Sequence, residues 1–438
     1  MKSMIMAVGV MILALFTVEE LHARLTIFGP PANYDVTGIS YSVCTSDFDQ
    51  NGTLDLAVAN YDANTVSVLL GYGNGLFRIA IDYAAGSGPY AICGADFDRD
   101  GDIDLATSNE YSNNITLLKN DGHGAFAAPV GYPCGESPYA ICAADLNGDS
   151  YSDLATVDNY DSSVIILMNK KDGTFQTAVH YTTGSLPRSV ISADFDGDGD
   201  NDLAVANFNA DNFSVLFNNG DGTFNPAVNY EAGPGATSII AADFDGDGDK
   251  DIAVANYYKR NISVSLNFGN GAFSSPAFYA VGSYPTSIIA ADFDGDADYD
   301  LAITNEGSNN ISILRGYGDG RFQATVNYAG GLLPHGICAG DFDADDDNDL
   351  AVVSAALGNA GVLTNTANGS FTCGDINDDS LVSILDMYSL IDFLYRHGYP
   401  PVDRRAGDIN GRGLINIQDI GYLIRFLYLQ GPEPACIH

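Results

Sequence analysis

Asp194-Phe195-Asp196-Gly197-Asp198-Gly199-Asp200-Asn201-Asp202-Leu203 decides the fold, because versions of this stretch recur seven times along the chain. Their first aspartates are Asp47, Asp96, Asp145, Asp194, Asp243, Asp292 and Asp341, each forty-nine residues after the last. A fixed period of this length marks supersecondary units that bury their apolar faces only by stacking on one another. The repeated residues also select a chemistry. Carboxylates at alternate positions around a tight turn suit a hard, oxygen-seeking cation, calcium above all.

Outward from that loop, residues 188–231 show one whole unit. Residues 189–195 form a β-rich run into the acidic loop; 202–207, 213–218 and 223–230 follow, separated by Gly, Asn and Asp turns. Four short strands in sequence predict an antiparallel meander. One such sheet cannot bury both faces, whereas seven set radially about an axis can, which predicts a mainly β, seven-bladed propeller. Phe77, Phe126, Phe175, Phe224, Phe273 and Phe322 open the fourth strand of successive repeats, and Phe28 and Phe371 extend the series in both directions. The seventh repeat therefore ends where its fourth strand should begin, while residues 25–35 supply a spare one. The N-terminal strand is expected to complete the last blade and remove both free edges.

In these residues the chain resembles the FG-GAP, or integrin-α-like, propeller repeat, over 25–371. The shared motif is Asp-x-Asp-x-Asp-Gly-x-x-Asp, then Asn-Gly/Asp-Gly-x-Phe about twenty-five residues later, as at 219–224 and 270–273. The resemblance implies that side chains at loop positions 1, 3, 5 and 9 ligate calcium, with a carbonyl at position 7. That assigns Asp96, Asp98, Asp100 and Asp104; Asp194, Asp196, Asp198 and Asp202; and Asp243, Asp245, Asp247 and Asp251 to complete sets. The first loop has Asp47, Asp49, Asn51 and Asp55; the third has Asp145, Asn147, Asp149 and Asp153. The sixth has Asp292, Asp294, Asp296 and Asp300, and the seventh Asp341, Asp343, Asp345 and Asp349. Position 6 favours glycine, because the turn needs a conformation that a Cβ disfavours. Ser150, Ala297 and Asp346 depart from this and predict weaker binding in their loops.

After Phe371 the period breaks. Gly374-Asp375-Ile376-Asn377-Asp378-Asp379 and Gly407-Asp408-Ile409-Asn410-Gly411-Arg412 lie thirty-three residues apart, each opening a twelve-residue EF-hand-type loop. Met387, Leu390, Ile391 and Leu394 follow at helical spacing, as do Ile420, Leu423, Ile424 and Leu427. Residues 373–438 are similar to a type I dockerin. That resemblance implies a small α-helical module with side-chain ligands Asp375, Asn377, Asp379, Ser383 and Asp386 in one loop and Asp408, Asn410, Asn416 and Asp419 in the other. Arg412 replaces an acidic ligand and weakens the second loop. Dockerins bind cohesins, so a cohesin-like or cell-surface partner is implied. Ile384-Leu385 and Ile417-Gln418 stand where small hydroxyl residues usually face that partner.

The formal charge of −39 is concentrated: the seven loops hold 32 of the 57 acidic residues, leaving 25 against 18 Lys plus Arg. Nothing is basic enough to hold nucleic acid. Lys2, the apolar run 4–18 and Leu21-His22-Ala23 make 1–23 a secretory signal peptide; the chain is expected to be exported, monomeric and without a transmembrane segment. Cys44, Cys93, Cys142 and Cys338 share a position with Ile191, Ile240 and Ile289, so they are expected to pack rather than pair. Cys134 has no evident mate, and Cys373 and Cys436 are the plausible disulfide.

No catalytic motif surrounds His123, His180, His335, His397 or His438, which read as solvated turn or surface residues. Recognition is expected on the face opposite the acidic loops. There the crossovers between blades present Tyr41, Tyr90, Tyr139, Arg188, Thr237, Thr286 and His335 at equivalent points. Ordinary polar loops would look similar. Three readings follow: a secreted adhesion or interaction propeller with a docking module, a glycan-binding lectin of the same fold, and a calcium-dependent polysaccharide lyase or hydrolase.

Overall fold

The computed structural model describes residues 27–366. The leader, the dockerin-like segment with Asp375 to Asp419, and the Cys373 and Cys436 pair all lie outside the described residues. All 28 strands fall in one compact unit, residues 29–293 and 298–365. Among the described residues there is no helix long and apolar enough to cross a membrane.

The strands form seven antiparallel sheets of four. Blade one runs β2 (Ser40–Ser46), β3 (Asp55–Asn60), β4 (Thr65–Leu69) and β5 (Ile81–Ala84). Twenty further strands, β6 to β25, build five blades of the same order within residues 89–329. The last blade joins β26 (Pro334–Gly340), β27 (Asp349–Ser354) and β28 (Asn359–Leu363) to β1 (Ala32–Asp35). Tyr34 pairs with Ala360 in that ladder. The N-terminal strand thus completes the seventh blade, as the repeat arithmetic requires.

Burial explains why one repeat cannot stand alone. β3, Asp-Leu-Ala-Val-Ala-Asn, is buried at all six positions, whereas β5 is mostly exposed. Each apolar cluster spans two neighbouring blades: Phe48, Val66 and Val68 of the first pack with Leu105, Leu118 and Phe126 of the second. Across the closure, Val36, Ala360 and Val362 pack with Val43, Leu56 and Phe77. Cys44, Cys93, Cys142 and Cys338 join these clusters and are free thiols, as is Cys134. Burial pushes the Cys44, Cys134 and Cys142 thiols up to about 12, which leaves them inert packing groups.

Contrary to the sequence reading, the fourth strand does not begin at Phe77, Phe126, Phe175, Phe224, Phe273 or Phe322; in all six repeats it starts four residues later. The fourth strand of repeat four is Val228–Glu231 and does not begin at Phe224, which makes only an isolated bridge to Asn218. Pro226, and Pro129 and Pro276 in two other repeats, fall in this interval and give no N–H to a ladder, but the repeats of Phe77, Phe175 and Phe322 part at the same place without a proline. The phenylalanine ring serves the core instead: Phe273 meets Phe195 of the preceding repeat edge-on at 5.9 Å.

Every inner strand also carries a register shift near its start, such as that between Ser40 and Ser42 in blade one. A bulge frees a residue from the ladder and re-aims its side chain. In blade one the freed residue is Tyr41, and in blade four it is Arg188.

Candidate functional site

The acidic loops are built by their own backbone. Asp194 accepts the N–H groups of Gly197 (2.8 Å) and Gly199 (3.0 Å), and Asp243 those of Gly246 (2.7 Å) and Gly248 (3.0 Å). Position 6 is left-handed in all seven loops, including Ser150, Ala297 and Asp346. Position 4 is left-handed as well, and there Gln50, Arg99 and Ala344 replace glycine. Each non-glycine in this region costs on the order of 1 kcal/mol. Loops four and five carry glycine at both positions and are the least strained.

Three carboxylates converge in each of several loops, with ligand oxygens within 4.8 Å of one another. They are Asp47, Asp49 and Asp55; Asp96, Asp98 and Asp100; Asp194, Asp196 and Asp202; and Asp243, Asp245 and Asp251. Asp198 and Asp247 at position 5 are exposed and accept the N–H of position 7, at 2.9 Å in each loop. An Oδ1 of Asp49, Asp96, Asp98 and Asp343 is buried with no hydrogen-bond donor. A buried acceptor without a partner is costly, so these oxygens call for a cation. Burial and then neighbouring carboxylates raise the pKa of Asp196, Asp245 and Asp343. An all-oxygen, anionic donor set of this kind fits calcium.

The loops are not equivalent. Lys119 Nζ lies 2.8 Å from Asp98 and donates to the Asp172 carbonyl at 3.2 Å. Lys171 lies 3.4 Å from Asp149, and Arg78 4.0 Å from Asp49. In loop three, Asn147 turns its amide nitrogen toward Asp153 at 3.3 Å, where a metal ligand would present oxygen. Loops one to three thus carry their own cation, and among the described residues loops four and five have none paired to them.

Position 9 has a second duty that the sequence reading missed. Asp251 is fully buried and accepts Phe244 N (2.9 Å) and Asn267 N (2.7 Å), tying the loop to the third turn of its blade. Asp55, Asp153, Asp202, Asp300 and Asp349 make the same pair of bonds. Asp104 accepts Asn120 N at 2.8 Å. Burial pushes Asp55, Asp153, Asp202 and Asp251 up to about 6, and Asp104 and Asp349 to about 7.

An asparagine six residues before the repeated phenylalanine links blades. Asn267 Nδ2 donates to the Phe195 carbonyl of the preceding repeat at 2.8 Å, and Asn120, Asn169, Asn218 and Asn365 do the same. Two repeats have glycine there, Gly71 and Gly316. In these the backbone N–H of Gly75 or Gly320 reaches the equivalent carbonyl, Phe342 O or Phe244 O, at 2.8 Å. Every junction therefore has one bond of this kind. Asn267→Ala is expected to cost about 1–3 kcal/mol by orphaning Phe195 O and Lys250 O. Urea denaturation checks this, and an unchanged midpoint would show the bond to be idle.

At the other end of the sheets the crossover residues meet. Tyr41, Tyr90, Tyr139, Arg188, Thr237, Thr286 and His335 line one axial cavity of about 170 Å³. Tyr90 stacks on Tyr41 (4.7 Å) and on Tyr139 (3.7 Å), to which its hydroxyl is also hydrogen-bonded. Arg188 lies over Phe208 at 3.8 Å and faces Tyr139 at 5.3 Å. His335 is not a solvated surface residue. Its Nδ1 contacts the Tyr41 carbonyl at 3.0 Å and its Nε2 the Tyr90 hydroxyl at 3.3 Å, and burial lowers its pKa to about 4. A second ring from the β3-type turns surrounds the mouth, with Tyr61 donating to Glu110 at 2.5 Å and Tyr257 stacked on Tyr284 at 4.8 Å. Tyr111, Tyr160 and Tyr258 stand exposed on the same turns.

Four-stranded blades, a strand-exchange closure and acidic first turns define a seven-bladed β-propeller of repeated loop-bearing units. The FG-GAP-like repeat family matches six overlapping stretches, 47–107, 96–156, 145–205, 194–254, 243–303 and 292–352, and the chain belongs to that family. No curated protein matches the chain in sequence. Among solved structures it is similar to virginiamycin B lyase from Staphylococcus aureus, with TM-score 0.55, 15% identity, and coverage of 77% of this chain and 99% of that one. BBS1N, solved in complex with ARL6DN, gives TM-score 0.56 at 12% identity over 78% and 97% of the two chains. A putative 6-phosphogluconolactonase from Bacteroides uniformis gives 0.52 at 14% over 67% and 85%. At these identities the likeness is one of fold alone.

Proposed function

We propose that this protein is an exported, calcium-loaded recognition propeller. Its acidic loops hold ions that stabilise the blades, its tyrosine-lined mouth binds a partner, and its dockerin-like C-terminal segment attaches it to a cohesin-like or cell-surface protein. The observation that carries the reading is the convergence of three carboxylates within 4.8 Å in loop after loop, together with buried oxygens that lack a donor. The residues that would hold the ion in the best loops are Asp194, Asp196 and Asp202, and Asp243, Asp245 and Asp251. Calcium supplies the positive charge that lets these carboxylates stay ionised side by side.

Calorimetric titration of the demetallated chain tests this. Several calcium ions per chain are expected to bind, with magnesium binding more weakly because it demands a tighter octahedron. Asp245→Ala is expected to remove one of the strongest sites. Asp98→Ala is expected to remove a weaker one, because Lys119 already pairs with Asp98. A stoichiometry below one ion per chain would end the proposal.

A further inference from the structure

Arg188 is the only cation in the ring of bulge residues at neutral pH, since His335 is neutral there. Among the described residues it has no ion pair, although the chain has 57 acidic residues against 18 Lys plus Arg. Arg78, Lys119, Lys171 and Arg321 all face aspartates. The Arg188 guanidinium instead rests on the faces of Phe208 and Tyr139, and its Nε is buried without an acceptor. Aromatic faces hold the charge in place and use none of the N–H fork that matches a carboxylate.

The cavity beside it is biased toward donors. Ser42, Ser189 and Ser238 each accept a backbone N–H from the next blade, at 3.3, 3.4 and 3.2 Å, which leaves their hydroxyl hydrogens to give. A cavity of about 170 Å³ is smaller than the about 300–1,000 Å³ of drug-sized pockets, so it admits a terminal group and not a polymer segment. Beside its mouth, Glu110 accepts the Tyr61 hydroxyl at 2.5 Å, and the Tyr61 ring meets those of Tyr41 and Tyr90 edge-on. The other oxygen of that carboxylate is left to accept a ligand hydroxyl, and its charge repels a ligand with several negative charges. Tyr111 and Tyr258 add exposed aromatic faces.

We propose that this mouth binds the terminal uronic acid of an acidic glycan. The sugar carboxylate sits on the Arg188 fork and the serine hydroxyls, a sugar hydroxyl is accepted by Glu110, and its C–H face lies on tyrosine. The proposal rests on the mouth being the recognition face and names what it recognises.

The test is calorimetry on the full chain in calcium, with galacturonate and glucuronate disaccharides, their methyl esters, the neutral disaccharides and a hexaglutamate peptide. The acids are expected to bind about 10- to 100-fold more tightly than the esters, the margin of a charge-assisted hydrogen-bond pair. Arg188→Gln is expected to erase that margin, and Arg188→Lys to restore part of it. Equal binding of acid and ester, a margin that survives Arg188→Gln, tighter binding of the peptide, or no saccharide binding at millimolar concentration would each overturn it. If Arg188→Gln fails to fold, the acid-against-ester comparison on the native chain still decides. Melting curves with and without chelator on the same samples separate the readings. Calcium stabilisation without an acid margin removes only this inference, and an acid margin without calcium stabilisation removes only the metal.

Discussion

Chelation is expected to lower the melting temperature of the propeller by on the order of 10 °C at low salt. A site filled at a hundredfold excess over its Kd contributes about 2.7 kcal/mol, so two such sites in loops four and five would supply roughly 5 kcal/mol. One kcal/mol moves the midpoint of a large domain by about 2–4 °C. Emptied loops also repel themselves, since oxygens within 4.8 Å sit well inside a Debye length of about 10 Å at 0.1 M salt. Acid should then act in opposite directions on the two forms. In the chelated protein the position-9 aspartates have folded pKa values of about 6 to 7, above the unfolded value of about 3.9. Between those limits the folded state binds more protons, so stability is lost as pH rises and regained as it falls. The chelated chain should melt higher at pH 5.5 than at pH 8. The calcium-loaded chain should melt lower at pH 5.5, because protons displace the ion. Differential scanning calorimetry of both forms checks the pair of signs, and parallel pH profiles would contradict the account.

Removal of residues 25–36 is the other large effect. It takes away β1, the four-residue ladder to β28, and the packing of Val36 and Tyr34 on the cluster between blades seven and one. Tyr34 meets Phe77 edge-on at 5.4 Å and donates to the Gly75 carbonyl at 3.2 Å, so the deletion also loosens the seam into blade one. The exposed β28 would offer unpaired N–H and C=O groups to other chains. Expected are aggregation or dimerisation on size exclusion and a melting point several degrees lower. A synthetic peptide spanning 27–38 should restore the monomer by adding itself as the missing strand. A soluble monomer of undiminished stability after deletion would refute the closure.

The fold was legible because the period, the acidic turns and the count of phenylalanines constrain one another. A spare strand at one end and a missing one at the other leave little choice but exchange. What stayed hidden were contacts between repeats. Asn267 reads as a turn residue in its own blade, and only the neighbouring carbonyl 72 positions away shows that it joins two. A hint existed, since asparagine stands six residues before the repeated phenylalanine in five repeats. Position 9 was read as a ligand on motif grounds, and its bonds to two backbone N–H groups depend on burial that no local pattern reports. The axial cavity was half legible. Tyr41, Tyr90, Tyr139, Arg188 and His335 were placed at equivalent points. The bulge that turns such residues inward, and the burial that neutralises His335, belong to the closed ring.

The most direct test of the central claim is long-wavelength anomalous diffraction from crystals grown in calcium. The account predicts peaks inside loops four and five, between Asp194, Asp196 and Asp202 and between Asp243, Asp245 and Asp251, with weaker or absent density in loop three. Well-ordered loops without an anomalous peak at either of those two positions would contradict it.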